Sequence, residues 1–214
     1  MKYATLHDFF EKNDSDVFVV ADKEKNCAIV NKYLSFWYTY RKSKMIIQEQ
    51  ALESVFQQYH QNDNFQNVII KTSILNDFYS TSISDTYSVA KVIYEMNIDE
   101  KLAQNDLNLV NEIAKNTSLK CNSKRREYSF ASKYCSFHKP FSFPIFDSRN
   151  EMMLRYYKNA MEVKKFNLRE DYNKYVEIIA NYKKTFGLEI FSYKEIDRFN
   201  WILTNIVNDK SKTK

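Results

Sequence analysis

Glycine and proline are scarce in this sequence of 214 residues, which has one glycine, Gly187, and two prolines. Phosphate-binding loops and dinucleotide-binding turns need several glycines, because their backbone approaches the phosphates closely and adopts positive φ angles. Neither a P-loop nor a dinucleotide-binding fingerprint can be written from this sequence. The common nucleotide-dependent enzymes are therefore excluded, and we predict no nucleotide cofactor.

Cysteines and long apolar runs are also few. The cysteines Cys27, Cys121 and Cys135 are odd in number and widely spaced, a pattern that is typical of a reducing compartment rather than a disulfide framework. No stretch approaches the roughly 18 apolar residues of a membrane-spanning helix. The first residues, MKYATLHDFFEKNDSD, lack the apolar core of a signal peptide. We predict a cytoplasmic protein that has no membrane partner.

Apolar residues make up 44% of the chain and aromatic residues 16%, enough to form a buried core. Apolar residues from Leu52 to Tyr59 recur at helical spacing, and the segment 67–79 is apolar on nearly every side, as a central buried helix would be. We therefore predict a mainly α-helical, compact multi-helix domain. The exception is a short β element at Asp16–Val20, where β-branched and aromatic residues cluster.

No linker rich in proline or glycine divides the chain, and no internal repeat is present. Ser192 and Glu195 have the spacing of a capping box, which predicts that a last helix begins there. Three further helices are predicted at about 86–96, 101–115 and 149–160. The predicted organisation is an N-terminal segment of uncertain structure at 1–40, a helical domain at 41–208 and a basic tail at 209–214.

Cys135 and His138 lie three residues apart, so on a helix they would share one face. This spacing suits a thiol–imidazole pair or half of a metal site. A structural zinc site needs four ligands, however, and Cys121 with the distant His7 and His60 supplies no second close pair. We predict buried packing for Cys135 and no metal or other cofactor.

Basic residues cluster in one segment, and the net charge of +5 with a pI near 8.9 is compatible with nucleic-acid binding. Two explanations of this cluster stay open: the solvated start of a helix, or contacts to a phosphate backbone. The candidate nucleic-acid contacts are Lys124, Arg125, Arg126, His138 and Lys139.

Asp147 follows both prolines and directly precedes Ser148 and Glu151, which have capping-box spacing. The carboxylate is therefore expected at a helix N-terminus, where unpaired amides and the helix dipole favour a negative charge. Such a carboxylate suits a site where positive charge develops. A purely structural capping aspartate would have the same sequence pattern.

The order of helix, His138-Lys-Pro140, short loop and Phe143-Pro-Ile-Phe-Asp147-Ser148 resembles the helix-hairpin-helix DNA glycosylase superfamily. The segment Ile196–Trp201 resembles the closing helix of bacterial proteins with an 8-oxoguanine DNA glycosylase-like fold. This resemblance covers residues 65–207 and implies that Asp147 is the catalytic aspartate. It also implies that Tyr79, with the neighbouring Ser80, lies where such enzymes insert a wedge residue into DNA.

The sequence departs from the family pattern at the hairpin, where residues 122–126 contain no glycine. In bifunctional family members a nucleophilic lysine follows the hairpin; here that position falls near Glu127. The lysines near that position are Lys124 and Lys133, and Lys133 is the candidate nucleophile, with Ser129, Phe130 and Phe137 expected on its helix face.

The resemblance implies a DNA N-glycosylase, with or without lyase activity at the abasic site, that acts on an extruded damaged or modified base. Either water or a lysine would be the nucleophile. The alternative is a non-enzymatic nucleic-acid-binding or protein-interaction module of a bacterial defence or toxin–antitoxin operon. Repair and attack on foreign modified DNA stay open as roles.

Overall fold

The computed structural model describes residues 10–11, 13–39, 44–81, 83–120, 127–164 and 166–209. These residues form ten α-helices and a short 3-10 helix, and none of them lies in a strand. The predicted mainly α fold is confirmed. The helices are α1 (Lys23–Thr39), α2 (Lys44–Gln58), α3 (Phe65–Tyr79), α4 (Thr86–Glu95), α5 (Asp99–Ala103), α6 (Asn108–Lys120), α7 (Tyr128–His138), α8 (Ser148–Tyr157), α9 (Tyr172–Phe186) and α10 (Tyr193–Asp209).

Side-chain caps explain why several helices begin where they do. Asn64 Oδ1 accepts hydrogen bonds from the first backbone amides of α3, and Asp85 Oδ1 accepts one from the Ser88 amide in α4. The predicted capping box at α10 is present: Ser192 Oγ accepts from the Glu195 amide at 3.2 Å, and Glu195 Oε2 accepts from the Ser192 amide at 2.7 Å.

The chain divides into two compact units. Unit 1 comprises Met1–Arg41, Asp147–Glu170 and Lys174–Lys214, and unit 2 comprises Lys42–Phe146 and Asp171–Asn173. In unit 1, α10 packs against α1 and α8. Its core is aromatic: the Phe18 ring lies 5.4 Å from Phe199 and 5.5 Å from Tyr157, and further rings come from Tyr182 and Phe186.

In unit 2, α3 packs against α2, α4 and α7, and α6 packs against α4 and α7. Val68 and Leu75 of α3 are fully buried. The prediction of a central helix at 67–79 is therefore confirmed. Two hydrogen bonds hold residues 171–173 in this unit. Asn111 Nδ2 donates to Asp171 Oδ1 at 2.8 Å, and Tyr172 Oη donates to the Pro144 carbonyl at 2.6 Å.

The predicted β element at Asp16–Val20 was wrong. Asp16 ends the 3-10 helix, and the segment 26–30, the one plausible partner strand in the sequence, lies inside α1. Phe18 is buried in the aromatic core, whereas Val19 and Val20 are exposed. The apolar residues here therefore serve side-chain packing rather than a strand ladder.

One predicted helix also differs from the structure. The helix expected at about 101–115 is divided into α5 and α6. Asn105 between them has φ of 55°, a left-handed conformation that ends a helix. The basic tail expected at 209–214 lies outside the described residues except for Asp209, and so do all three of its lysines. No helix in the described ranges is both long enough and apolar enough to cross a bilayer.

Candidate functional site

Asp147 lies at the N-terminus of α8, as the sequence predicted, but the cap is Asp147 itself rather than Ser148, which is the first residue of the helix. Its backbone is extended, and Oδ1 accepts hydrogen bonds from the amides of Arg149 at 3.0 Å and Asn150 at 2.9 Å. The side chain is half-buried. The local sequence explains this position, because the carboxylate immediately precedes the helix and satisfies amides that have no partner within α8.

The neighbouring residues of α8 are held by polar contacts within unit 1. Asn150 Nδ2 donates to Asp197 Oδ1 at 2.7 Å. Glu151 accepts from Arg155 at 2.6 Å and from Arg169 at 2.8 Å. Burial acts to raise the pKa of Glu151, but the hydrogen bonds and positive charges of Arg169 and Arg155 outweigh it and hold that pKa below its usual range. These contacts fix the first turn of α8 and therefore the Asp147 backbone.

Lys133 lies on α7 in unit 2 and is only 3% exposed. Its Nζ donates to Ser129 Oγ at 2.8 Å and lies 5.5 Å from the centre of the Tyr79 ring. The contact with Ser129 is the one expected from the four-residue spacing. Tyr79, which sequence spacing could not connect with Lys133, also belongs to this environment.

The two residues proposed as the DNA wedge lie at the end of α3. The half-buried Tyr79 ring also packs edge-on against Phe137, with centroids 5.7 Å apart. Ser80 is exposed in a left-handed conformation with φ of 47°, and its amide donates to the Asn76 carbonyl. Their contact with DNA stays a prediction.

The basic residues predicted to contact nucleic acid differ in burial and charge, and some lie outside the described residues. Lys124, Arg125 and Arg126 lie outside the described residues, as do Cys121 and His7. Lys139 is exposed. His138 does not supply the positive charge that the sequence suggested, because burial and then the nearby charges of Lys71 and Lys139 lower its pKa from 6.5 to about 3. At neutral pH the ring is uncharged.

A buried lysine network in unit 2 was not predicted. Lys71 of α3 is fully buried, and its Nζ donates to the Gln61 carbonyl at 2.9 Å, Asn62 Oδ1 at 2.7 Å and His138 Nε2 at 3.3 Å. The same nitrogen lies 5.7 Å from the centre of the Phe56 ring. Three acceptors match the three hydrogens of an ammonium group, so Lys71 is bound as a cation.

Asn62 connects this lysine to an acid and to a phenol. The Asn62 amide and Nδ2 donate to the two carboxylate oxygens of Asp99, at 2.8 Å and 2.6 Å. Tyr134 Oη donates to Asn62 Oδ1 at 2.6 Å. We call Lys71, Asn62, Asp99, Tyr134 and His138 the Lys71 network.

Burial makes the positive charge of Lys71 less favourable but does not remove it at neutral pH. Burial lowers the pKa of Lys71 from 10.5 to about 8, against the opposing negative charges of Asp99 and Asp63. The ammonium therefore remains protonated at pH 7. Because it donates to Nε2 of the neutral His138 ring, the proton of that ring is assigned to Nδ1.

A cavity of about 460 Å³ lies beside the Lys71 network. Asp99 and His138 of the network contribute to its wall, and Ala103 and Gln57 are exposed on it. The full lining consists of Glu53, Phe56, Gln57, His60, Gln61, Asp99, Leu102, Ala103, Phe137, His138 and Lys139. In the described ranges no group of three or more acidic, histidine or cysteine side chains is arranged to hold a metal ion.

One sequence signal pointed toward this network. Lys71 is the one charged residue in the apolar run NVIIKTSIL, and a charge in a buried helix needs partners. Its partners come from the loop before α3 and from the end of α7, so no spacing rule connects them. The charge of Lys71 within an apolar helix therefore predicted a buried polar contact, but the sequence could not predict which residues make it.

Comparison with known proteins identifies a family. The family model described as "HI_0787_N: N-terminal domain" matches residues 29–142, more than half of the chain. A Haemophilus influenzae protein named "Uncharacterized protein" is 28% identical over 228 residues, which cover 99% of this chain and 100% of that protein. No solved structure matches the chain significantly. The chain belongs to the family of the HI_0787_N N-terminal domain.

Proposed function

We propose that the protein binds DNA and excises a damaged or modified base from an extruded nucleotide. The observation that carries the proposal is the environment of Lys133, a buried residue whose Nζ lies beside the Ser129 hydroxyl and the Tyr79 ring. Lysines buried away from water are frequent in sites that use an amine as nucleophile, because burial favours the neutral form of the amine.

In the lysine route, the neutral Lys133 nitrogen attacks the sugar C1′ carbon as the bond from C1′ to the base breaks. The departing base takes the electron pair of that bond and a proton. Loss of a proton from the bound nitrogen and opening of the sugar ring then give an imine, which water hydrolyses or which loses the 3′ phosphate by elimination. In the water route, water attacks C1′ and no covalent intermediate forms.

Asp147 has the same role in either route. The C1′ carbon becomes positively charged as the base leaves, and a fixed carboxylate stabilises that charge. Support comes from the position of Asp147 at the N-terminus of α8, where backbone amides hold Oδ1 in place. A preorganised carboxylate needs little reorganisation when the charge develops.

Borohydride trapping tests the lysine route. The protein is incubated with duplexes carrying 8-oxoguanine, uracil, hydroxymethylcytosine or an abasic site, with and without borohydride, and resolved on denaturing gels. Wild type should give a covalent band that Lys133→Ala lacks. Lys71→Met is the matched control, since Lys71 and Lys133 are the two buried lysines of the described residues. A band lost only in Lys71→Met would reject Lys133 as the nucleophile.

A second candidate function is nucleic-acid binding without catalysis. It is favoured by exposed residues at the end of α7, where Lys139 is exposed and Phe141 is 79% exposed. A cation and an aromatic ring are the groups that contact a phosphate and stack on a base. If the protein binds nucleic acid without catalysis, its affinity for DNA should fall steeply between about 50 and 200 mM salt, because the contacts are to phosphates. No duplex should then release a base.

A further inference from the structure

We propose that the cavity beside the Lys71 network binds a neutral, planar nitrogen heterocycle the size of a nucleobase or nucleoside. The proposal goes beyond base excision, because it needs neither Lys133 nor Asp147. It rests on the volume of the cavity, on the charges around it and on the polar groups in its wall.

The cavity has the size of a small-molecule site. Its volume of about 460 Å³ lies within the roughly 300–1,000 Å³ that is usual for ligand pockets. All its lining residues belong to unit 2. The site is therefore built by one compact unit from α2, α5, α7 and the loop before α3.

The charges around the cavity favour a neutral ligand. Glu53 and Asp99 supply two negative charges, and Lys139 and the buried Lys71 supply two positive charges. The other titratable side chains in the wall are His60 and His138, and the His138 ring is uncharged at neutral pH. A phosphate would face the two carboxylates and an ammonium would face the two lysines, so neither ion gains a net attraction.

The polar groups of the wall suit the edge of a heterocycle. Both Asp99 oxygens are positioned by Asn62, yet each retains capacity to accept a further hydrogen bond. Gln57 and Gln61 are exposed and carry amides, which can donate and accept at once. Ring nitrogens and exocyclic amino and carbonyl groups of a nucleobase present the complementary pattern.

Aromatic side chains supply the apolar part of the wall. The Phe56 ring lies 5.3 Å from Phe137 and 5.0 Å from His138 between centroids, so three rings lie together at the cavity. Aromatic rings beside a few positioned polar groups are the usual means of holding a flat heterocycle. The Lys71 network fixes this wall in advance, because Lys71 donates to His138 and Asn62 donates to Asp99.

Isothermal titration calorimetry of the full chain tests the proposal. Adenine, guanine, cytosine and uracil are titrated with their nucleosides, and single-stranded oligonucleotides form a separate arm. We expect at least one free base or nucleoside to bind with a Kd below about 1 mM. If oligonucleotides bind through this site but free bases and nucleosides do not, the proposal of a small-molecule site is overturned. The cavity wall would then contact a base of a bound DNA or RNA strand.

Ala103→Trp fills the cavity from an exposed position of α5, and Gln104→Trp is the matched control one residue further along, outside the lining. Ala103→Trp should weaken binding at least tenfold, and Gln104→Trp should leave it unchanged. If Ala103→Trp does not fold, Gln57→Ala takes its place in the test. This variant removes an amide without adding volume, and it should weaken binding severalfold. Equal binding by wild type and the folded cavity variants, or no binding of any base or nucleoside, would refute the site.

Failure of this inference is distinguishable from failure of the base-excision proposal. Lys133→Ala and Asp147→Asn should bind the heterocycle as wild type does. Conversely, Ala103→Trp and Gln57→Ala report on the cavity whether or not any duplex releases a base.

Discussion

Lys71 on α3 donates a hydrogen bond from Nζ to Nε2 of His138 at the end of α7, over 3.3 Å. Burial, and then the positive charge of the Lys71 ammonium, lowers the pKa of His138 and keeps the imidazole neutral. The hydrogen bond also joins two helices that form the interior of unit 2. The protonation of His138 is therefore coupled to the stability of this unit.

The first prediction concerns acid stability. The folded-state pKa of His138 is about 3 against an ordinary 6.5, so the unfolded chain gains a proton near pH 6.5 while the folded chain does not. Stability is therefore lost as pH falls from 6.5 toward 3. His138→Gln keeps an acceptor but does not titrate, so it should lose less stability over this range. Urea denaturation of both proteins at pH 7, 5.5 and 4.5 measures the difference; parallel losses would contradict the assignment.

The second prediction concerns the buried cation. Lys71→Met removes three hydrogen bonds and leaves the acceptors Gln61 O, Asn62 Oδ1 and His138 Nε2 with one donor fewer each. We expect the free energy of unfolding to fall by about 2–4 kcal/mol. Lys91→Met is the matched control, since Lys91 is exposed and its contact with Glu95 is a surface pair of 3.7 Å. It should change stability by less than about 0.5 kcal/mol.

The third prediction separates the capping role of Asp147 from a chemical role. Asp147→Ala removes the acceptor of the Arg149 and Asn150 amides and should cost about 1 kcal/mol in the free energy of unfolding. Asp147→Asn retains an acceptor oxygen and should cost less than about 0.5 kcal/mol. Chemical denaturation of the three proteins gives these values. An equal loss in both variants would mean that the charge, rather than the cap, stabilises α8.

The fourth prediction concerns Gly187 in unit 1. Its φ is +68°, and a Cβ built there would lie 2.7 Å from Lys23 Cβ. Gly187→Ala should therefore destabilise the protein by about 1–3 kcal/mol, from strain and from the displaced helix start. Asn105→Gly is the control, because Asn105 has φ of 55° and is exposed; that change should be neutral or slightly stabilising. Thermal unfolding compares the two, and a neutral Gly187→Ala would contradict the close approach.

Local sequence signals were sufficient for several features. The capping box of Ser192 and Glu195, the cap at Asp147 and the contact between Ser129 and Lys133 each depend on residues two to four positions apart, and all three are present. The helical class followed from apolar spacing. Such features are predictable because the partners share one helix or its first turn.

The Lys71 network and the division into two units were not predictable in this way. Asn62 reaches Asp99 and Tyr134 from other parts of the chain, and the chain returns to unit 1 only at Asp147. The short apolar run at Asp16–Val20 suggested a strand, because the spacing of apolar residues alone does not distinguish a strand from a buried loop segment. Tertiary packing of Phe18 decided that case.

Single-turnover base release is the measurement that tests the base-excision account most directly. Duplexes carrying the modified bases are mixed with excess wild type or Asp147→Asn, and released bases are quantified by mass spectrometry alongside DNA binding. The account predicts that wild type releases one of these bases at least about 100-fold faster than Asp147→Asn, while both bind DNA equally. Release at equal rates, or intact bases on every duplex that wild type binds, would contradict it.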